Sequence, residues 1–149
     1  MKLFANGGWR DAAHGRVFVN GAWRTVTRVM AYAGGAWRTA VQFAPALSVS
    51  VPADYEVFVS GNPIGYGQAF VGATPSGGLA PYRYAWSITE DSGTISPSLG
   101  SPSLASTAVN GGAYPSSTDY VLLSVTVTDA IGQTATGSTI VIFENVWGP

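Results

Sequence analysis

One short motif occurs three times at the start of the sequence, and it limits how this part of the chain can fold. Each copy is a Gly-containing dipeptide followed closely by Trp-Arg, so that Trp9, Trp23 and Trp37 lie 14 residues apart. Asn-Gly and Gly-Gly supply the positive φ angles that two-residue hairpin turns require, and alternating apolar runs precede the two later turns. Residues 1–43 are therefore predicted to form a small ladder of β-hairpins. The expected strands lie near residues 16–19, 22–28, 29–33 and 36–43.

The repeated Trp-Arg step favours a docking role for this region. Side chains alternate along a strand, so each arginine is expected on the face opposite its tryptophan. An isolated hairpin is marginal in water, so the region needs a partner: a second copy, the rest of the chain or a larger assembly. Because Trp and Arg are enriched at interface hot spots, we expect an anchoring or oligomerising module, with simple packing on the rest of the chain as the alternative. The candidate docking residues are Trp9, Arg10, Trp23, Arg24, Trp37 and Arg38.

The pattern of the remaining sequence is typical of a β-sandwich. After a brief linker, Ala44-Pro45-Ala46, short strand-like runs alternate with clusters of turn residues, and no window of helical length has a 3.6-residue period. Tyr82, Tyr84 and Trp86 alternate onto one face, which predicts a central strand whose indole fills the core. The expected strands cover residues 47–51, 55–59, 68–73, 82–88, 107–109, 120–129 and 134–143. The expected turns include residues 60–63, 75–78 and 110–112. The predicted fold class is all-β, with hairpin repeats at residues 1–43 and one sandwich at residues 44–149.

The charges of the chain are few and unevenly placed. Charged residues make up 10% of the chain, against about 25% in ordinary domains. Residues 1–43 hold six basic residues and one acidic residue, a net charge of +5, whereas residues 44–149 hold one basic and seven acidic residues, a net charge of −6. A surface with few charges is poorly protected against association. Opposite potentials on the two regions indicate two surfaces with different partners.

The sequence does not contain a recognisable set of catalytic or metal-binding residues, and we predict that the protein is not an enzyme and holds no cofactor. The chain has no cysteine, and its single histidine, His14, lies in a predicted turn. One histidine without cysteines cannot build a zinc site. Glu90 and Asp91 are the only adjacent acidic pair. We expect them in a solvated loop, since glycosidase carboxylates face each other from separate elements. A weak calcium site, joined by Asp119 and Asp129, is left open.

Partners other than proteins are expected to be limited. The arginines of the repeats are spaced rather than clustered, so no nucleic-acid partner is predicted. No apolar stretch approaches the ~18 residues of a membrane helix, and the apolar start at residues 1–4 is broken at once, so we expect a soluble chain without membrane insertion. Aromatic side chains in or near loops make sugar binding a rival reading. The candidate glycan contacts are Tyr55, Tyr66, Tyr114 and Trp147.

Two segments of the sequence resemble known protein families. The step of Gly-Gly or Asn-Gly, one residue, then Trp-Arg-Thr, repeated over roughly residues 5–43, resembles short repeats of bacteriophage virion proteins, especially tail-tip and fibre-associated ones. The Pro-Tyr-x-Tyr-x-Trp strand and the Val-Thr-Val-Thr-Asp-x-x-Gly hairpin, within about residues 47–144, resemble PKD-like domains of the immunoglobulin fold. The chain departs from that family over residues 89–119, which are longer and rich in Ser and Pro.

Together the resemblances imply a non-enzymatic structural protein of a bacteriophage virion, assembled in the host cytoplasm. Its repeats would dock to other virion proteins and to copies of itself, and its immunoglobulin-like domain would be exposed for host adhesion. A tail tip or baseplate, a short fibre and a capsid decoration protein all fit the sequence. The alternative is a carbohydrate-binding adhesion module on the same sandwich, because a fold alone does not fix a function.

Overall fold

The computed structural model describes residues 2–5, 8–11 and 15–147, and strands are the only regular elements found in them. The all-β prediction is confirmed. Contacts divide the chain into a hairpin unit, Met1–Pro45, and a sandwich unit, Ala46–Pro149. The predicted boundary after residue 43 stands two residues before this division. His14 lies outside the described residues. No helix in the described ranges has the length and apolar character needed to cross a membrane.

The hairpin unit consists of antiparallel strand pairs joined by tight turns. Its strands are β1 (Lys2–Ala5), β2 (Gly8–Asp11), β3 (Gly15–Val19), β4 (Ala22–Val26), β5 (Arg28–Ala33) and β6 (Ala36–Gln42), paired β1–β2, β3–β4 and β5–β6. The two central turn residues have positive φ in both later hairpins, at 51° and 78° for Asn20 and Gly21 and at 61° and 79° for Gly34 and Gly35. Positive φ at both positions is the requirement of the hairpin turn that matches strand twist. The hairpins thus form where the Gly-containing dipeptides predict them.

Two details of the hairpin unit differ from the prediction. The strand expected at residues 22–28 ends at Val26, because the Thr27 carbonyl turns to accept the backbone N–H of Phe43 at 2.8 Å. The next strand then begins at Arg28. In addition, none of the side chains that the structure describes in this unit is buried. In the described part of the unit, the strands pair without burying a side chain.

The sandwich unit is built from two main sheets and one short strand pair. Its strands are β7 (Ser48–Ser50), β8 (Tyr55–Val59), β9 (Gly65–Gly72), β10 (Thr74–Ser76), β11 (Arg83–Asp91), β12 (Ile95–Leu99), β13 (Ser106–Ala113), β14 (Thr118–Thr128) and β15 (Thr134–Asn145). One sheet has the order β11-β14-β15-β8, the other β12-β13-β9, and β7 pairs with β10. Strand β8 runs parallel to β15, while the other pairs are antiparallel.

The core lies between the two main sheets and is filled by alternate residues of their strands. Val71 and Val109 come from the three-stranded sheet, and Leu123 and Phe143 from the four-stranded sheet, all with 0% exposure. Trp86 of β11 is 5% exposed and donates its indole N–H to the Leu104 carbonyl at 3.0 Å. The prediction that this indole fills the core is confirmed. Tyr82 and Tyr84 pack against the same cluster, as predicted.

A buried side-chain amide links three segments at one end of the sandwich. Asn145 ends β15, is 2% exposed, and donates from Nδ2 to the carbonyls of Gly61 at 3.0 Å and Ala113 at 2.9 Å. Its Oδ1 accepts the backbone N–H of Trp147 at 3.0 Å. The amide therefore joins the loop after β8, the end of β13 and the segment after β15.

The turn predicted at residues 110–112 is wrong, because these residues lie inside β13. A Cβ on Gly111 would stand 2.6 Å from Thr94 Cγ2 and 2.8 Å from the Phe143 ring, and one on Gly112 would stand 2.8 Å from the Tyr66 ring. Contacts this short leave no room for a side chain, so the glycines reflect close packing rather than a turn. Part of the turn predicted at residues 75–78 is likewise strand, since Thr74–Ser76 pairs with β7.

Candidate functional site

Each hairpin pairs its tryptophan with another aromatic residue directly across the strands. The pairs are Phe4 with Trp9, Phe18 with Trp23 and Tyr32 with Trp37. Such cross-strand aromatic pairs are a recognised source of sheet stability. The sequence analysis missed the first member of each pair, although these residues repeat with the same 14-residue period as the tryptophans.

The aromatic face of the last hairpin is described in most detail. The rings of Tyr32 and Trp37 meet edge to face, with centroids 5.4 Å apart and an interplanar angle of 64°. Trp37 is 67% exposed, Tyr32 63%, and Trp23 of the preceding hairpin 66%. The side chains of Trp9 and Arg10 lie outside the described part of the chain. Aromatic surface exposed to this extent is typical of an interaction site.

The arginines occupy the next position along each second strand. Arg24 lies opposite Val17, and Arg38 lies opposite Ala31. Both arginines are exposed. Because neighbouring side chains of a strand point to opposite faces, the second and third hairpins each carry a tryptophan on one face and an arginine on the other. The structure thus provides the two-faced arrangement that the Trp-Arg steps predict.

The hairpin unit also contains an apolar groove that the sequence analysis did not anticipate. Its volume is about 240 Å³, and its lining residues are Thr25, Val26, Thr27, Phe43, Ala44 and Pro45. The groove forms where the chain leaves β6 and returns to the end of β4 through the hydrogen bond from Phe43 to Thr27. A lining of methyl groups and one aromatic ring suits an apolar side chain rather than a charged ligand.

The structure places three of the four candidate glycan contacts at one end of the sandwich and Tyr55 at the other. Tyr55 is half-buried at the start of β8, whereas Trp147 follows Asn145, which pairs with the last residue of β8. Those two residues therefore lie at opposite ends of one strand. Tyr66 and Tyr114 are 63% and 57% exposed and follow the paired residues Gly65 and Ala113. The Ala113 carbonyl accepts the amide of Asn145, two residues before Trp147, so these two tyrosines lie at the same end as Trp147. Any sugar site must use a subset of these residues.

A different set of outward side chains does form a continuous surface, which we call the amide face. On β9, Tyr66, Gln68 and Phe70 point outward, and their partners on β13 are Gly112, Asn110 and Ala108. Gln68 Nε2 donates to Asn110 Oδ1 at 2.6 Å, and Asn110 Nδ2 donates to Ser98 Oγ of β12 at 3.4 Å. A polar ladder thus crosses the sheet between the two exposed rings. Of this set, the sequence analysis named only Tyr66.

Glu90 and Asp91 were expected in a solvated loop, but they end strand β11, because they pair with Leu122 and Val121 of β14. Asp91 Oδ1 accepts the backbone N–H groups of Gly93 at 3.0 Å and Thr94 at 2.7 Å. Glu90 Oε1 accepts the Tyr120 hydroxyl at 2.7 Å. That hydrogen bond, with the negative charge of Glu90 and burial, raises the pKa of Tyr120. In the described ranges, no three His, Asp or Glu residues cluster closely enough to hold a metal ion.

Asp129 is the buried acid of the sandwich and organises the turn between β14 and β15. Its oxygens accept the backbone N–H groups of Leu79 at 3.0 Å, Ile131 at 3.0 Å and Gln133 at 2.7 Å. Burial alone would raise the pKa of Asp129, but the hydrogen bonds from Gln133, Leu79 and Ile131 outweigh it and lower the pKa below its ordinary value. The carboxylate is a structural acceptor at this turn.

Comparisons with known proteins find only weak similarity to this chain. No protein-family model and no curated protein matches it. One similar solved structure is a nucleoside hydrolase-related hypothetical protein from Saccharophagus degradans that is associated with carbohydrate metabolism. The identity is 18% and the TM-score 0.47, over 70% of this chain and 26% of that one. The chain thus spans about a quarter of that protein's length, and a likeness this weak says nothing about what the chain does.

Proposed function

We propose that this chain is a non-enzymatic structural protein of a bacteriophage particle, attached through its hairpin unit. The observation that carries the proposal is the repeated aromatic face, on which Trp23 and Trp37 are 66% and 67% exposed. Hairpins without a buried core gain little from their own packing. Large exposed rings on such hairpins are explained if a partner covers them.

The chemistry of the hairpin unit indicates the kind of partner. The tryptophans supply apolar anchors, which are the commonest hot-spot residues of protein interfaces. The opposite faces carry arginines in a region with a net charge of +5, so an acidic protein surface is favoured. Other virion proteins and further copies of this chain are the proposed partners.

The sandwich is proposed as the exposed module, immunoglobulin-like and PKD-like in character. Its strand order and its long β14–β15 hairpin support this assignment. Its net charge of −6 over residues 44–149 differs in sign from that of the repeats, which supports a separate role such as host adhesion. Tail tip or baseplate, short fibre and capsid decoration are the proposed locations.

The arrangement of the acids supports a non-enzymatic role. Asp91 and Asp129 each accept hydrogen bonds from backbone N–H groups of their own turns, and Glu90 accepts from Tyr120. Carboxylates used in this way hold turns, whereas hydrolysis of a glycosidic bond requires two of them to face a common substrate.

The direct test is to find the chain in particles. Virions of the phage that encodes it are purified on a density gradient and probed with an antibody against the sandwich unit. We expect the chain to migrate with infectious particles and gold label to mark one location by electron microscopy. Recovery of the chain only in the particle-free fraction would contradict the proposal.

A further inference from the structure

We infer that the amide face is a binding site for an extended, neutral polysaccharide. The amide face comprises Tyr66, Gln68, Phe70, Ser98, Ala108, Asn110 and Gly112 on the outer side of the three-stranded sheet. This inference concerns the free sandwich unit and holds whatever the hairpin unit docks to. Of the four aromatic residues predicted to contact a glycan, the amide face includes only Tyr66.

The two aromatic rings are placed as a platform. Tyr66 and Phe70 are 63% and 68% exposed and lie on the same side of β9. Four residues of an extended strand span about 13 Å, so the rings are far enough apart to contact different sugar units of one chain. The C–H faces of pyranose rings are apolar, and an exposed aromatic face offers them a matching surface.

The neighbours of these rings are small, so the rings are not enclosed. A Cβ on Gly112 would stand 2.8 Å from Tyr66 Cδ1 and 3.0 Å from Cε1, which shows that the Tyr66 ring lies over the glycine backbone. Phe70 is opposite Ala108, and a Cβ on Gly100 would stand only 3.1 Å from the Ala108 Cβ. Because the residues packed around Ala108 are small, the Phe70 ring projects from the surface of the sheet.

The polar groups between the rings match sugar hydroxyls. Gln68 donates to Asn110 at 2.6 Å, and Asn110 donates to Ser98 at 3.4 Å, so the amides are held in place before any ligand arrives. A side-chain amide has two donors and two acceptor lone pairs. The hydrogen bonds within the ladder therefore leave capacity for hydroxyl groups, which both donate and accept.

The absence of charge selects a neutral ligand. None of the seven residues of the amide face is Asp, Glu, Lys, Arg or His, although residues 44–149 carry a net charge of −6. The other sheet provides the contrast: its exposed Phe58 lies directly opposite Glu144 and two residues from Glu56. An anionic polymer would be disfavoured by the domain's charge, and a basic protein would prefer the acidic face around Phe58.

Titration calorimetry of the full chain tests the inference with three β-1,4-linked hexasaccharides as probes: cellohexaose, chitohexaose and mannohexaose. Their extended chains suit a flat face, whereas maltohexaose has α-1,4 linkages that coil the chain and serves as the control ligand. We expect binding of at least one extended probe and weaker binding of maltohexaose. Absence of heat with all three extended probes would overturn the inference.

Variants then assign the binding to this face. Tyr66→Ala and Phe70→Ala should each weaken binding by about tenfold. Gln68→Leu, which keeps the size of the side chain, should weaken it by about fivefold. Phe58→Ala is the matched control, since Phe58 is 63% exposed on the other sheet, and it should bind like the unchanged chain. Equal affinity of all four variants would contradict the inference.

Two further measurements separate the alternatives. The Trp23→Ala/Trp37→Ala variant should keep its sugar affinity, so a failure of docking and a failure of sugar binding are distinguishable. Sedimentation of the unchanged chain and of Phe70→Ala tests whether a second copy covers the face. A dimer that dissociates in Phe70→Ala without any sugar binding would overturn the inference and identify the face as an interface between copies.

Discussion

The hairpin unit and the sandwich share a local sequence pattern but differ in how far they bury their tryptophans. Both are made of alternating apolar strands joined by glycine-containing turns, yet Trp86 of the sandwich is 5% exposed while Trp37 of the hairpins is 67% exposed. The difference arises because Trp86 belongs to the core cluster of a two-sheet unit, whereas each hairpin is a two-stranded sheet. Alternation of apolar and polar residues is therefore enough to form strands, but a buried core requires two sheets packed face to face.

The comparison also indicates which region determines stability and which determines assembly. A unit that buries its large side chains carries its own stability. A unit that exposes them has apolar surface left for a partner. We therefore expect mutations in the sandwich to act on unfolding and mutations in the hairpins to act on assembly. The following predictions test that division, beginning with the largest effect.

Replacement of the core indole should have the largest effect on stability. Trp86→Ala removes a buried ring and its hydrogen bond to Leu104, and should lower the free energy of unfolding by about 3–5 kcal/mol. Urea denaturation followed by far-ultraviolet circular dichroism measures the change. Trp37→Ala is the control and should shift the sandwich transition by less than about 0.5 kcal/mol. Equal shifts for the two variants would remove the distinction between the regions.

Loss of the buried Asn145 amide should have the second-largest effect on the free energy of unfolding. Asn145→Ala leaves the carbonyls of Gly61 and Ala113 without their donor, and should cost about 2–3 kcal/mol. The matched control is Asn110→Ala on the amide face, whose partners keep access to water, with an expected cost of about 0.5 kcal/mol. The same urea titration compares them, and a larger loss for Asn110→Ala would show that burial does not decide the outcome.

Acid should weaken the sandwich through Asp129. The folded-state pKa of this carboxyl lies below its ordinary value, so its contribution to stability is present above the unfolded-state pKa and is lost as the pH falls through the folded-state pKa. Asp129→Asn should lower the melting temperature at pH 7 and flatten its decline below pH 4, since the titrating group is gone. Thermal melts across this range measure both, and an unchanged acid decline in the variant would assign the pH dependence to other groups.

Charge reversal on the hairpins should have the smallest effect, and only on assembly. Arg24 is exposed, so Arg24→Glu should leave the sandwich melt unchanged and weaken docking by about 1 kcal/mol at low salt. The loss should shrink at high salt, because screening removes the contribution of exposed charges. Docking that is equally weak at both salt concentrations would show that Arg24 acts through contacts rather than through charge.

Much of the fold is predictable from local sequence because local chemistry determines it. Asn20-Gly21 and Gly34-Gly35 adopt positive φ angles, and this need is visible in the residue types alone. The burial of Trp86 follows from the alternation of Tyr82, Tyr84 and Trp86. In these cases the residues that decide the structure are neighbours in the chain.

The features that were not predicted depend on residues far apart in the chain. Gly111 and Gly112 have the composition of a turn, but the positions of Phe143 and Tyr66 explain why they are glycines within a strand. The amide face needs Gln68 to meet Asn110, 42 residues later, and nothing in either segment alone sets that register. The same holds for a candidate site, which is visible only once strand pairing is known.

Particle occupancy of one double variant tests most directly whether the hairpin unit docks through its exposed tryptophans. Trp23→Ala/Trp37→Ala is compared with Phe58→Ala, which removes a similarly exposed ring from the sandwich, by quantitative immunoblotting of purified particles. The account predicts that the double variant loses at least about tenfold in occupancy, since a loss of about 2 kcal/mol at a hot spot weakens affinity by about thirtyfold. Its sandwich melt should stay unchanged, and Phe58→Ala should retain full occupancy. Wild-type occupancy of the double variant would contradict the account and place the docking surface on the sandwich.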